Sequence, residues 1–76
     1  MNDIRHRVGT RIKELRNNLG KSQEQLGFDS GLDRTYINSV EAGKRNISII
    51  ALEKICKALN CSLETFFNHG MFRDGK

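Results

Sequence analysis

Arg34, Thr35, Tyr36, Asn38 and Ser39 fall in one short run, and their side chains match what double-stranded DNA exposes in its major groove. A guanidinium pairs with guanine N7 and O6 together, a threonine methyl packs on the thymine methyl, and an asparagine amide or a serine hydroxyl donates or accepts at base edges. Tyr36 suits a phosphate or a neighbouring base step. If the run is helical with Ile37 and Val40 turned inward, a rotation of about 100° per residue sends Thr35, Asn38, Ser39 and Ala42 to the opposite face, bordered by Arg34 and Tyr36. That face is small and polar, as a helix entering a groove requires. An arginine in a first helical turn is ordinarily a solvated surface residue, so Arg34 draws its meaning from its neighbours. Upstream, the first amides of the preceding helix are placed like those that bind phosphates, with Gln23 as a side-chain donor beside them. Downstream, Lys44, Arg45 and Asn46 form a second candidate clamp on the DNA backbone, although any one of them reads equally well as a solvated loop residue.

The elements that must position these groups are marked by caps and glycines. Asp3 is placed to cap a first helix, along which Ile4, Val8, Ile12, Leu15 and Leu19 recur at helical spacing until Gly20 stops it. Ser22 with Gln25 has the capping-box spacing. Gly27 lies inside this second helix, where glycine costs about 1 kcal/mol relative to alanine; a close crossing of two helices would account for it. Gly31 breaks the helix, Asp33 is placed to cap the third, and Gly43 ends it. Ser48 opens a fourth helix with the stripe Ile49, Leu52, Ile55, Cys56 and Leu59, ended by Asn60, and Ser62 opens a short fifth. The expected helices span about residues 4–19, 23–30, 34–41, 49–59 and 62–67, with a polar tail over 68–76, all in one domain of residues 1–76. No strand-like alternation appears. The fold class is therefore an all-α five-helix bundle whose central pair forms a helix-turn-helix.

Seventy-six residues lie near the lower limit for a core without disulfides or metal, which leaves no room for a deep catalytic pocket. Thirteen Lys and Arg against nine Asp and Glu leave a net charge of +4, of the sign that attracts phosphates. Cys56 sits in an apolar stripe and reads as a small hydrophobe. With Cys61 and the distant His6 and His69 it makes no zinc spacing; both histidines are expected at the surface. Without a secretory signal or a membrane-length apolar run, a reducing cytoplasm fits the two cysteines. No cofactor, metal or membrane partner is expected.

Over roughly residues 8–67, without a gap, the chain resembles the Cro and phage-repressor type of helix-turn-helix protein: Ser22-Gln23, Leu26-Gly27, Gly31-Leu32, Ile37 and Glu41-Ala42-Gly43, then a Leu-rich helix. Within that family, residues 32–37 and 45–48 are similar to the controller proteins of restriction-modification systems. The resemblance implies a lambda-repressor-like fold, a dimer that activates and represses transcription, DNA-facing positions at Gln23, Arg34, Thr35, Tyr36 and Ser39, and an ion pair between Arg16 and Glu41. It also makes RNA polymerase a candidate partner. Gly27 replaces the family's usual alanine and Asn38 its usual serine, the second bearing on which base is read. The expected activity is sequence-specific regulation from a palindromic operator by a homodimer, with half-sites about 10 base pairs, or ~34 Å, apart. Leu63, Phe66 and Phe67 are the interface candidates. Of these, Leu63 and Phe66 are expected to share an inward face, leaving Phe67 outermost with Met71 and Phe72 beside it. The alternatives are an antitoxin, which needs extra surface to grip its toxin, or another small phage- or plasmid-type repressor. An enzyme finds no support, since no nucleophile is paired with a base and no phosphate loop is present.

Overall fold

The computed structural model describes residues 3–73. Five helices follow in chain order, α1 (Ile4–Asn18), α2 (Gln23–Ser30), α3 (Arg34–Glu41), α4 (Ile49–Ala58) and α5 (Leu63–Phe67), and a 3-10 turn (Gly70–Phe72) comes after them. Among the described residues there is no strand, as the all-α reading requires. Residues 1–2 and 74–76 of the expected domain and tail lie outside the described residues. No described helix is long and apolar enough to cross a membrane.

Four helices start on a side chain that takes up otherwise unpaired amides, each worth about 1 kcal/mol. Asp3 accepts from the amides of Arg5 and His6; Ser22 accepts from Gln25 at 2.9 Å, Ser48 from Ala51 at 3.0 Å and Ser62 from Thr65 at 3.0 Å. Two expectations need correcting. Asp33 makes no side-chain cap bond, and only its backbone carbonyl serves α3, accepting from the Ile37 amide at 3.1 Å. The capping box at Ser22 is half formed, because Gln25 donates to the charged carboxylate of Asp29 at 2.8 Å, a stronger acceptor than the backbone offers.

α3 packs against both α1 and α2, α2 also meets α4, and α5 lies on α4. Their shared core is Ile12, Leu26, Ile37, Val40, Ile55, Cys56 and Phe66, all essentially without solvent contact. A Cβ on Gly9 would lie 2.2 Å from the Val40 carbonyl oxygen and 2.9 Å from that of Glu41, so α1 and the end of α3 meet at a distance only glycine permits. The stripes overrun this core at their ends. Ile4 and Leu19 are half exposed and Ile49, at the first turn of α4, is 81% exposed, because no described element covers them.

The short α5 is phased differently from expectation. Phe66 is fully buried, whereas Leu63 and Phe67 are each 39% exposed; helical spacing allows Leu63 to share a face with either phenylalanine, and the observed burial groups it with Phe67. Arg11 explains part of this setting. Buried in α1, it donates to the carbonyls of Phe66 at 2.8 Å and Thr65 at 3.0 Å, placing a cation at the end of α5 where carbonyls lack partners. The start of the tail turns back onto the fold: Phe72 meets the Phe67 ring edge-on at 4.9 Å. His69 is half-buried rather than at the surface, because its Nδ1 accepts from the Met71 amide at 3.1 Å.

Candidate nucleic-acid interface

The crossing of α2 and α3 depends on Gly27, where a Cβ would stand 2.7 Å from the Leu32 carbonyl oxygen and 3.3 Å from the Arg34 nitrogen. Behind the crossing lies a bidentate ion pair. Arg16 Nε and Nη2 donate to Glu41 Oε2 and Oε1 at 2.7 and 2.9 Å, and Arg16 Nη1 donates to the Lys21 carbonyl at 2.7 Å. Both side chains are buried, and the hydrogen bonds to Glu41 raise the Arg16 pKa above its ordinary value. This pair ties α1 to the end of α3 and, through Lys21, to the approach of α2.

In front of the crossing, Arg34, Thr35 and Asn38 are exposed on α3 and line a shallow hollow of about 280 Å³. A second hollow, of about 310 Å³, joins Arg34 to Ser22, Gln23 and Glu24 at the start of α2. A third, of about 160 Å³, joins Asn38 to Gln23, Ala42 and Lys13. Arg34, Gln23 and Asn38 are shared among these hollows, so one continuous strip runs from the start of α2 along the outer face of α3. The amides of Gln23 and Glu24 have no hydrogen-bond partner among the described residues, the arrangement that accepts a phosphate at a helix start.

Gln23 itself is not poised as a backbone donor. Its Nε2 donates to Glu41 Oε1 at 3.0 Å, and its Oε1 accepts from Asn38 Nδ2 at 3.1 Å, because the carboxylate behind it is the stronger acceptor. Ser39 and Tyr36 are half-buried, and the Arg45 guanidinium lies over the Tyr36 ring, 4.8 Å from its centroid. Lys44, Arg45 and Asn46 are exposed in the loop after α3.

Residues 12–66 match the family model described as helix-turn-helix. A control protein of Mycoplasma sp, C.MunI, is 45% identical over 69 residues, covering 90% of this chain and 93% of that relative. The chain belongs to the helix-turn-helix controller proteins of restriction-modification systems. Two solved structures of such controllers superpose closely. That of C.AhdI from Aeromonas hydrophila has a TM-score of 0.80 at 43% identity, covering 83% of this chain and 96% of that one. That of the C.Esp1396I tetramer in complex with its natural 35 base-pair operator has a TM-score of 0.79 at 43% identity, covering 83% of each.

Several residues that shape this controller's strip are absent from the sequence reading. Gly9 had a legible signal, a glycine inside a helical stripe. Lys21 Nζ donates to the Ala58 carbonyl at 2.5 Å and pairs with Asp29 at 2.9 Å, joining α2 to the end of α4; nothing in the spacing announces it. Phe28 is 83% exposed on α2, and no described contact accounts for it.

Proposed function

We propose that this chain binds a two-fold symmetric operator in double-stranded DNA as a homodimer, with α3 of each protomer in a major groove, and regulates transcription from that site. The observation that carries the reading is the exposed small, polar face of α3, bordered by Arg34 and braced from behind by a buried ion pair. Direct base reading falls to Arg34, Thr35 and Asn38, with Ser39 and Tyr36 at the margins; backbone contacts fall to Lys44, Arg45, Asn46 and the free amides of α2. A related controller, C.Esp1396I, has been solved as a tetramer in complex with its natural 35 base-pair operator, which supports operator binding for this chain. For the dimer, Leu63 and Phe67 offer the exposed face of α5, and Phe66 drops out because it is fully buried. An activating output brings RNA polymerase in as a further partner. Cys56 and Cys61 are free thiols, in keeping with a reducing cytoplasm.

A gel-shift titration tests the reading. Arg34→Ala should cost about 1–3 kcal/mol on the operator and far less on random DNA, while Lys44→Ala should weaken both and reduce the salt slope by roughly one phosphate. Equal losses on both duplexes for Arg34→Ala would make it a backbone contact only.

A further inference from the structure

Gln23 and Asn38 belong to a chain of hydrogen bonds whose direction is set at its buried end. Arg16 donates to both oxygens of Glu41, and a carboxylate so paired can only accept. Gln23 must therefore turn its Nε2 to Glu41 Oε1, 3.0 Å away. Its carbonyl is left facing α3, where it accepts from Asn38 Nδ2 at 3.1 Å. That bond takes one of the two Nδ2 hydrogens, so Asn38, which lines the hollow with Arg34 and Thr35, leaves its sole acceptor Oδ1 without a partner among the described residues, with the second Nδ2 hydrogen still able to donate. Neither amide can be turned over alone. Reversing Asn38 would set two carbonyls face to face, and reversing Gln23 would set a carbonyl on a carboxylate.

We propose that Asn38 reads a base through its carbonyl oxygen, accepting a hydrogen bond from an exocyclic amine in the major groove, and that Gln23 is the positioning residue that turns it that way. Adenine N6 and cytosine N4 are the amines that the groove presents, whereas guanine and thymine present acceptors there. The inference rests on the DNA-binding reading above and adds a chemical polarity to one of its contacts. It also gives the ion pair a role in specificity, because the orientation of Asn38 descends from Arg16 through two amides.

The test uses a duplex selected by the wild-type chain from a random pool. At each half-site position the exocyclic amine is deleted in turn, adenine becoming purine and cytosine becoming 2-pyrimidinone. One deletion should weaken wild-type binding roughly tenfold to a hundredfold. The same deletion should leave Asn38→Ala unchanged and cost Gln23→Leu much less than wild type. Asn38→Asp keeps the acceptor and should retain the sensitivity even if its overall affinity falls. Circular dichroism melts confirm that each variant is folded. The proposal is overturned if amine deletion costs wild type and Asn38→Ala equally at every position. It is also overturned if Gln23→Leu keeps full discrimination while weakening all duplexes alike, as a phosphate contact would. Failure of the wild-type chain to select any duplex would instead sink the DNA-binding reading and this one with it.

Discussion

At the scale of single residues, the strongest constraint is the Arg16–Glu41 pair, because both charges are out of water and each is satisfied chiefly by the other. Glu41→Gln keeps the shape but leaves a buried guanidinium uncompensated, and should destabilise the fold by about 3–5 kcal/mol, against under about 1 kcal/mol for an exposed pair. Thermal melts superimposable on wild type would contradict this. Cys56 makes a second, pH-dependent prediction. Burial, with Cys61 alongside, pushes its thiol up from the ordinary 9.0 to about 12. The folded chain then holds a proton that the unfolded chain releases, so this contribution is present below pH 9.0 and is lost as pH rises toward about 12. Urea titrations across that window should show a steeper decline for wild type than for Cys56→Ala. The exposure of Arg34, Thr35 and Asn38 on α3 was legible in the sequence because a helix of known phase places them opposite Ile37 and Val40. The second role of Gln23 was not, since its partner Glu41 lies 18 residues away and the competition between phosphate and carboxylate is decided only by the fold.

The helices themselves illustrate what local signals carry. Serines at three starts and glycines at three ends mark boundaries to within a residue, because capping is settled by neighbours along the chain. Which face of a helix is covered is settled elsewhere. Ile49 belongs to a regular stripe yet projects beyond the core, and α5 is too short for its pattern to have only one phase. Close approach between elements is the other feature local patterns miss, and Gly9 gives it a measurable form. Gly9→Ala gains about 1 kcal/mol of helix propensity but drives a methyl into the Val40 and Glu41 carbonyls. A net loss of about 1–3 kcal/mol is expected from the forced separation of α1 and α3, seen as a lower denaturant midpoint. A stabilised variant would mean that the two helices separate without penalty.

For the molecule as a whole, the exposed face of α5 is where two-fold assembly is argued to occur, and the burial difference between adjacent phenylalanines separates interface from core. Phe67→Asp should give a folded monomer by sedimentation equilibrium with much weaker operator binding, whereas Phe66→Ala should cost about 3–5 kcal/mol of stability through the cavity it leaves. A Phe67→Asp chain that still sediments as a dimer would place the interface elsewhere. The hydrogen bonds from Arg11 to the carbonyls of Thr65 and Phe66 take on a wider meaning in such an assembly. They pin α5 to α1, and α1 is pinned to α3 through Gly9 and the Arg16–Glu41 pair, so in the proposed dimer each protomer would act as a stiff lever arm between the symmetry axis and its groove. A two-fold axis doubles any tilt at the base of that arm. Under the proposed homodimer, loosening the pin at Arg11 should change the distance between half-sites that the pair can span, which gel shifts on operators of varied half-site spacing would report.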